Sequence, residues 1–338
     1  MGRLRMTRLV DTFGRVHKDL RVSLTDRCSL RCTYCMPKDF DQWLPSEELL
    51  NIEELLTIIE VATENGITEV RLTGGEPLLR PDIVEIVLRI KALPLAPELS
   101  LTTNGLRLAR YAKPLFDAGL TRANVSLDTL DRDRFQKMTF RDRISDVFAG
   151  LEAAKEAGLT PIKINSVLMR GINEDEVLAL VKWAVSEGFF LRFIEQMPLD
   201  AGGIWNRDTM VTSQEIQESL RPFYSLTAIE SRGSAPAEEF FLDGGPHKVG
   251  IIASVSQPFC GACDRLRLTS DGQLRSCLFS KDEMDLRNVL RDSTLDNLQI
   301  RAEITRRFSR AVAGKLAGHG INDHSFIQPP RPMSAIGG

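Results

Sequence analysis

The sequence predicts an α/β fold in two parts, a parallel sheet built by residues 1–200 and a C-terminal α+β segment over 201–338. Three observations carry this. Strand-length apolar runs alternate six times with helical periodicity between about residues 19 and 195. Beyond residue 200 that alternation stops, and short β segments precede two amphipathic helices. With 338 residues and 43% hydrophobic content the chain can bury a large core, enough for about two domains.

Residues 20–24 read as the first strand. The helix after it carries Ile52, Leu55, Leu56 and Ile59, with Asn51 and Glu54 as a capping pair and Gly66 as its stop. Residues 69–73 form a second strand, and a helix starting at Pro81 carries Ile83, Ile86, Val87 and Ile90. A third strand at 99–103 precedes a helix over 107–118 that Gly119 ends. The fourth strand, 123–127, is followed by a helix with Val147, Leu151 and Ala154 that stops at Gly158. After a fifth strand at 162–167, Asn173 and Glu176 cap a helix carrying Val177, Leu180, Val181 and Ala184. The sixth strand is 190–194. Downstream come a helix near 214–220 and β segments at 239–242, 248–253, 265–269 and 273–277. Asp271-Gly272 makes a hairpin turn there, and helices near 283–292 and 298–316 follow. Residues 231–236 read as a flexible surface loop, and the Pro-rich tail from Gln328 as irregular.

Net charge is −3 and 26% of residues are charged, which excludes a nucleic-acid coat and a membrane-surface protein. No apolar run approaches the ~20 residues of a membrane span. A cytoplasmic protein in a reducing compartment is expected, and three disulfides are not, since no signal peptide is evident and the chain is too long for a small disulfide scaffold.

The six cysteines fall into two sets of three. Cys28, Cys32 and Cys35 follow the first strand with C-x₃-C-x₂-C spacing; Cys260, Cys263 and Cys277 lie near the C-terminus. A [4Fe–4S] cluster normally takes four cysteines. Each set therefore proposes a centre with one open position, or one that borrows another ligand. For the second set, zinc remains an alternative on spacing.

In sheets of this kind the site lies at the C-terminal strand ends. Polar residues collect there: the cysteine loop, Gly74-Gly75-Glu76-Pro77, Asn104, Ser126, Asp128 and Glu195-Gln196-Met197. Two glycines allow close backbone approach, and Glu76 can accept from an ammonium group. Arg21, Arg71, Lys163 and Arg192 lie within strand patterns, where a charge needs a partner. Arg265 and Arg267 share one strand face. Cations around a common cavity suit a polyphosphate.

The first triad, with Tyr34 before its last cysteine, and Gly74-Gly75-Glu76-Pro77 resemble the radical S-adenosylmethionine (SAM) enzymes. Thr102-Thr103-Asn104-Gly105, Val125-Ser126-Leu127-Asp128, the Lys163 segment, Arg192-Phe193-Ile194-Glu195, the run from Phe259 to Arg267, Cys277 and the terminal Gly337-Gly338 resemble the GTP 3′,8-cyclase family of molybdenum cofactor biosynthesis. That resemblance implies a partial (βα)₆ TIM-like barrel with a C-terminal α+β domain carrying a second Fe–S cluster. It implies two [4Fe–4S] clusters, one on Cys28, Cys32 and Cys35 that binds SAM, and one on Cys260, Cys263 and Cys277 that binds substrate. SAM contacts would come from Tyr34, Gly75, Ser126 and Met197. GTP contacts would come from Arg21, Arg71, Thr102, Lys163, Arg192, Arg265, Leu266 and Arg267, with Gly337 and Gly338 as a tail entering the site. The product would be (8S)-3′,8-cyclo-7,8-dihydroguanosine 5′-triphosphate. Implied partners are an electron donor such as flavodoxin or ferredoxin, the next enzyme (cyclic pyranopterin monophosphate synthase) and a second copy of the chain as a homodimer. The competing expectations are a peptide-modifying radical SAM maturase with an auxiliary cluster and a zinc-stabilised interaction module.

Overall fold

The computed structural model describes residues 8–199, 205–230, 232–323, 326–329 and 331–337. Six strands follow in order: β1 (Asp19–Ser23), β2 (Glu69–Thr73), β3 (Glu98–Thr103), β4 (Arg122–Ser126), β5 (Ile162–Leu168) and β6 (Phe190–Glu195). They pair in parallel, each with the next. Side chains alternate across the sheet. Leu20, Val22, Leu72, Leu101, Val125, Ile164 and Phe193 are buried beneath the helices. Arg21, Arg71, Thr102, Asn165 and Arg192 take the opposite, concave face.

The covering helices are α1 (Ile52–Glu64), α2 (Ile83–Lys91), α3 (Leu108–Asp117), α4 (Arg132–Thr139), α5 (Ile144–Glu156) and α6 (Val177–Glu187). Asn51 and Glu54 form the expected reciprocal cap of α1. The second expected cap does not form. Asn173 instead donates to Asp128 O (2.8 Å) and Val167 O (2.9 Å), and Glu176 accepts from Leu130 N (2.8 Å) and Thr129 Oγ1. Both side chains tie down the loop after β4, and α6 starts after a 3₁₀ turn, Glu174–Glu176. α2 starts at Ile83 rather than Pro81, after Asp82, whose carboxylate pairs with Arg80 at 2.9 Å.

Downstream lie α7 (Ser213–Leu220), β7 (Leu226–Ala228), β8 (Glu238–Leu242), β9 (Lys248–Ile252), β10 (Arg265–Leu268), β11 (Gln273–Arg275) and β12 (Met284–Asp285). The chain continues into α8 (Arg287–Leu290), α9 (Asn297–Ala313) and α10 (Met333–Ile336). The C-terminal strands build no sheet of their own. β9 joins β6 in parallel and β10 joins β1 in parallel, giving one sheet of order β12-β11-β10-β1-β2-β3-β4-β5-β6-β9-β8-β7. The residues between β9 and β10, 253–264, therefore pass from one side of the open barrel to the other. They carry Cys260 and Cys263. α9 lies against α1, with Arg301 paired to Glu60 and Glu64.

Candidate functional site

The first cysteine set sits on the loop that leaves β1. At one side Arg31 N donates to Thr139 O and Thr33 N to Met138 O, both 3.0 Å, at the end of α4. At the other side Gly75 N donates to Thr25 O (2.7 Å) and Glu76 N to Arg27 O (2.8 Å). A Cβ on Gly75 would lie 2.4 Å from the carbonyl oxygens of Asp26 and Arg27, so only glycine fits. Glu76 also has structural partners. Its carboxylate is buried and accepts from Thr103 Oγ1 (2.7 Å), Asn104 N (2.7 Å) and Leu78 N (2.9 Å). It fixes the turn after β3, and Glu76 is not among the residues that line the adjoining cavity.

Cys28, Cys32 and Cys35 open onto a cavity that Tyr34, Gly75, Ser126 and Met197 also line. Burial pushes the Cys28 thiol up to about 11, with the Glu76 charge adding to it. Burial, then Cys28, pushes Cys35 up to about 12. Cys32 moves the same way through burial, Asp128 and the other two cysteines. Three thiolates crowded into one buried place repel each other, and a cationic centre lets all three ionise. Asn104 Nδ2 is 3.7 Å from Cys28 Sγ, a donor already aimed at the sulfur. All six cysteines are free of disulfides. This donor set fits an iron–sulfur cluster with an open iron. Among the described residues no three His, Cys, Asp or Glu side chains converge on one metal ion. A cluster makes no such demand, because each thiolate binds a different iron. Tyr34 OH donates to Asp128 Oδ2 at 2.7 Å, and burial raises the Asp128 carboxyl to about 6.

A second cavity adjoins the first. The two share Thr102, Asn165, Ile194, Met197 and Met333. The second triad, Cys260, Cys263 and Cys277, forms part of its wall, as do Arg21, Arg71, Arg192, Arg265 and Arg267. Strand register sets Arg21 between Arg71 and Arg267. Neutral groups hold most of these cations. Arg192 donates to Asn165 Oδ1 and Asn124 Oδ1, both 2.9 Å, and Arg71 to Ser100 Oγ at 3.3 Å. Arg267 donates to Gly337 O. Arg21 Nε is buried without a partner among the described residues. Asp19 lies 3.7 Å from Arg265. Burial, then Arg71, holds Arg192 down to about 9; burial and neighbouring arginines hold Arg21 well below its ordinary value. Buried guanidinium groups short of carboxylates make an anion site.

Two residues picked from the sequence stand elsewhere. The Leu266 side chain is fully buried in the core on the helix side of the sheet, where it pairs with Leu20. Alternation with Arg265 and Arg267 requires this, so only its main chain faces the cavity region. Lys163 does not line the cavity; its Nζ lies over the Phe190 ring at 5.5 Å, one alternate position below Asn165. Gly337 reaches the arginine row through its carbonyl, and Gly338 lies outside the described residues. Sequence reasoning missed Asn165, Phe259, Lys315 and His319. Asn165 could have been found, since it shares the inner strand face with Lys163. Lys315 and His319 follow α9 and carry no local signal.

Residues 22–184 match the profile of the radical SAM superfamily, and residues 189–320 that of Molybdenum Cofactor Synthesis C. The GTP 3′,8-cyclase of Streptomyces coelicolor is 58% identical over 333 residues, spanning 98% of this chain and 96% of the relative. GTP 3′,8-cyclase 2 of Mycobacterium tuberculosis is 52% identical over 98% of this chain and 92% of its own. Among solved structures, anSMEcpe with bound AdoMet superposes with a TM-score of 0.61 at 16% identity, covering 90% of this chain and 82% of the other. Streptococcus suis SuiB bound to the precursor peptide SuiA gives 0.58 at 14%, covering 87% and 68%. At those identities the likeness is one of fold. The near-full-length identity to the cyclases, with both profiles in the same order, shows that the chain belongs to the GTP 3′,8-cyclase family of radical SAM proteins.

Proposed function

We propose that this protein converts GTP to (8S)-3′,8-cyclo-7,8-dihydroguanosine 5′-triphosphate, the first step of molybdenum cofactor biosynthesis. The observation that carries the reading is the joined pair of cavities: one bordered by the first triad, the other by buried arginines and the second triad. When bound and reduced, a [4Fe–4S] cluster on Cys28, Cys32 and Cys35 supplies the electron that splits SAM into methionine and a 5′-deoxyadenosyl radical competent to take the GTP 3′ hydrogen.

This chain's own residues bind and orient. Tyr34, Gly75, Ser126 and Met197 border SAM. Arg21, Arg71, Arg192, Arg265 and Arg267 take the triphosphate, where guanidinium forks pair with phosphate oxygens. Thr102 stands between the cavities and sets the approach of ribose to SAM. Ile194, Met197 and Met333 exclude water at the junction. Lys163 adds positive field from beyond the cavity, and Leu266 acts only through its backbone. Cys260, Cys263 and Cys277 would hold a second [4Fe–4S] cluster, whose open iron would supply a Lewis-acid site for the guanine. Residues 1–200 then form the SAM-bearing unit and 201–338 the substrate-bearing one, with Gly337 and Gly338 as the tail. The same reading implies a flavodoxin- or ferredoxin-type reductant, hand-over to cyclic pyranopterin monophosphate synthase, a homodimer and a cytoplasmic setting. Among the described residues no helix is long and apolar enough to cross a membrane.

The test is anaerobic reconstitution followed by incubation with SAM, dithionite and GTP. 5′-Deoxyadenosine should form in a GTP-dependent way. Cys28→Ala should abolish SAM cleavage, whereas Cys277→Ala should keep SAM binding and lose GTP conversion. Full cyclisation by Cys277→Ala would overturn the role given to the second triad.

A further inference from the structure

Lys315, just past the end of α9, is buried at 4% exposure. Its Nζ donates to Arg265 O and lies 3.6 Å from Cys263 Sγ. No carboxylate forms an ion pair with it among the described residues; Asp282 and Asp323 border the same outer cavity without reaching it. An ammonium group buried without an anion is costly, so the fold places it for an anion that arrives. Cys263 Sγ, as the thiolate it would be in a cluster, would supply that anion. Cys263 is approached from both sides. Lys315 comes from the outer cavity, and Arg265 Nη1 lies 3.5 Å from the same sulfur at the wall of the substrate cavity.

The position of Lys315 is fixed by a separate clamp. Arg15 donates to Cys260 O (2.7 Å), Leu316 O (2.8 Å) and Ala317 O (3.4 Å), and its Nε is held by Asp11. The N-terminal turn thus locks the segment carrying Lys315 to the loop carrying the cysteines.

We propose that Lys315 is a positioning residue for the second iron–sulfur centre, donating a charge-assisted hydrogen bond to Cys263 that raises the centre's reduction potential and helps retain it. Hydrogen bonds to cluster sulfurs act in this direction. The proposal rests on the assignment of a cluster to Cys260, Cys263 and Cys277.

The test uses the full chain with Cys28, Cys32 and Cys35 changed to Ala, so that only the second centre is reconstituted. Iron and sulfide content and an EPR-monitored redox titration are compared for this protein and for its Lys315→Met and Lys315→Arg variants. About four iron per chain are expected with Lys315 intact. Lys315→Met should make one-electron reduction about tenfold less favourable, a fall of about 59 mV, and Lys315→Arg should restore most of it. Loss of iron from Lys315→Met alone, with Lys315→Arg still loaded, supports the same role. An unchanged potential in a fully loaded Lys315→Met protein overturns the proposal, as does loss of iron from both variants, which would make the residue merely structural. Absence of iron when Lys315 is intact is a different failure, because it removes the second cluster itself.

Discussion

Arg192 shows how single residues build the site. It lies on the inner face of β6 with two amides and, among the described residues, no carboxylate in hydrogen bond, so its charge is left for a ligand. Arg192→Met should weaken GTP binding about 10- to 100-fold, the loss of a charged hydrogen-bond pair, and leave guanosine binding nearly unchanged. Calorimetry with both ligands on the reconstituted protein checks this; equal losses for both would place the residue away from the phosphates. Asp128 gives a pH signature. Burial raises its carboxyl from 3.8 to about 6, so folding favours the protonated form. Its stabilising contribution is complete below pH 3.8 and disappears as pH rises through about 6. Asp128→Asn should therefore raise the melting temperature of the cluster-free protein at pH 7.5 relative to wild type, and change it less at pH 4.5. A larger gain at the acidic pH would contradict the burial argument.

Elements explain which features could be read in advance. The six strands were legible because their outward faces carry apolar residues at alternate positions, for instance Leu20 and Val22. α4 was not, since its sequence offers only Phe135 and Met138 as apolar anchors, yet its end holds the cysteine loop. Asn173 and Glu176 have the same spacing as the true cap at Asn51 and Glu54, and tertiary bonds to the loop after β4 override it. The cysteines and the strand arginines were visible as residue types out of place. Asn104 beside Cys28 sat within a noted strand end, but its aim at sulfur is a property of the folded loop. The Gly-Gly turn was noticed for ligand approach, and its tightest contact proves to be with the cysteine loop. Gly75→Ala must push that loop away, so it should reduce iron bound by the first triad by at least half while the second triad stays loaded. Iron analysis with EPR of each centre checks it. Glu195, at the end of β6, accepts from Ser213 N, Val255 N and Ser256 N, all 2.8 Å. Glu195→Gln turns one acceptor into a donor facing donors. It should cost about 2 kcal/mol in a denaturant titration and loosen the second triad rather than the first.

At the scale of the whole molecule, the pairing of β9 and β10 with the outer members of the parallel set was not legible, because local patterns name strands and not their neighbours. The result is one concave wall on which cations from both halves of the chain face each other. That arrangement predicts that inorganic anions stabilise the protein before any nucleotide does. Sulfate should raise the melting temperature of the cluster-free protein more than chloride at equal ionic strength, by mass action on the folded state. Arg21→Met combined with Arg71→Met should remove most of the difference. The segment 253–264 has a mechanical corollary. Since it joins β9 to β10 across the mouth, its twelve residues must follow any breathing that moves those two rims apart. A nucleotide gripped at one rim by Arg21 of β1 and Arg267 of β10, and at the other by Arg192 of β6, would act as a tie rod across that gap, stiffening the rims just where radical chemistry tolerates least slack.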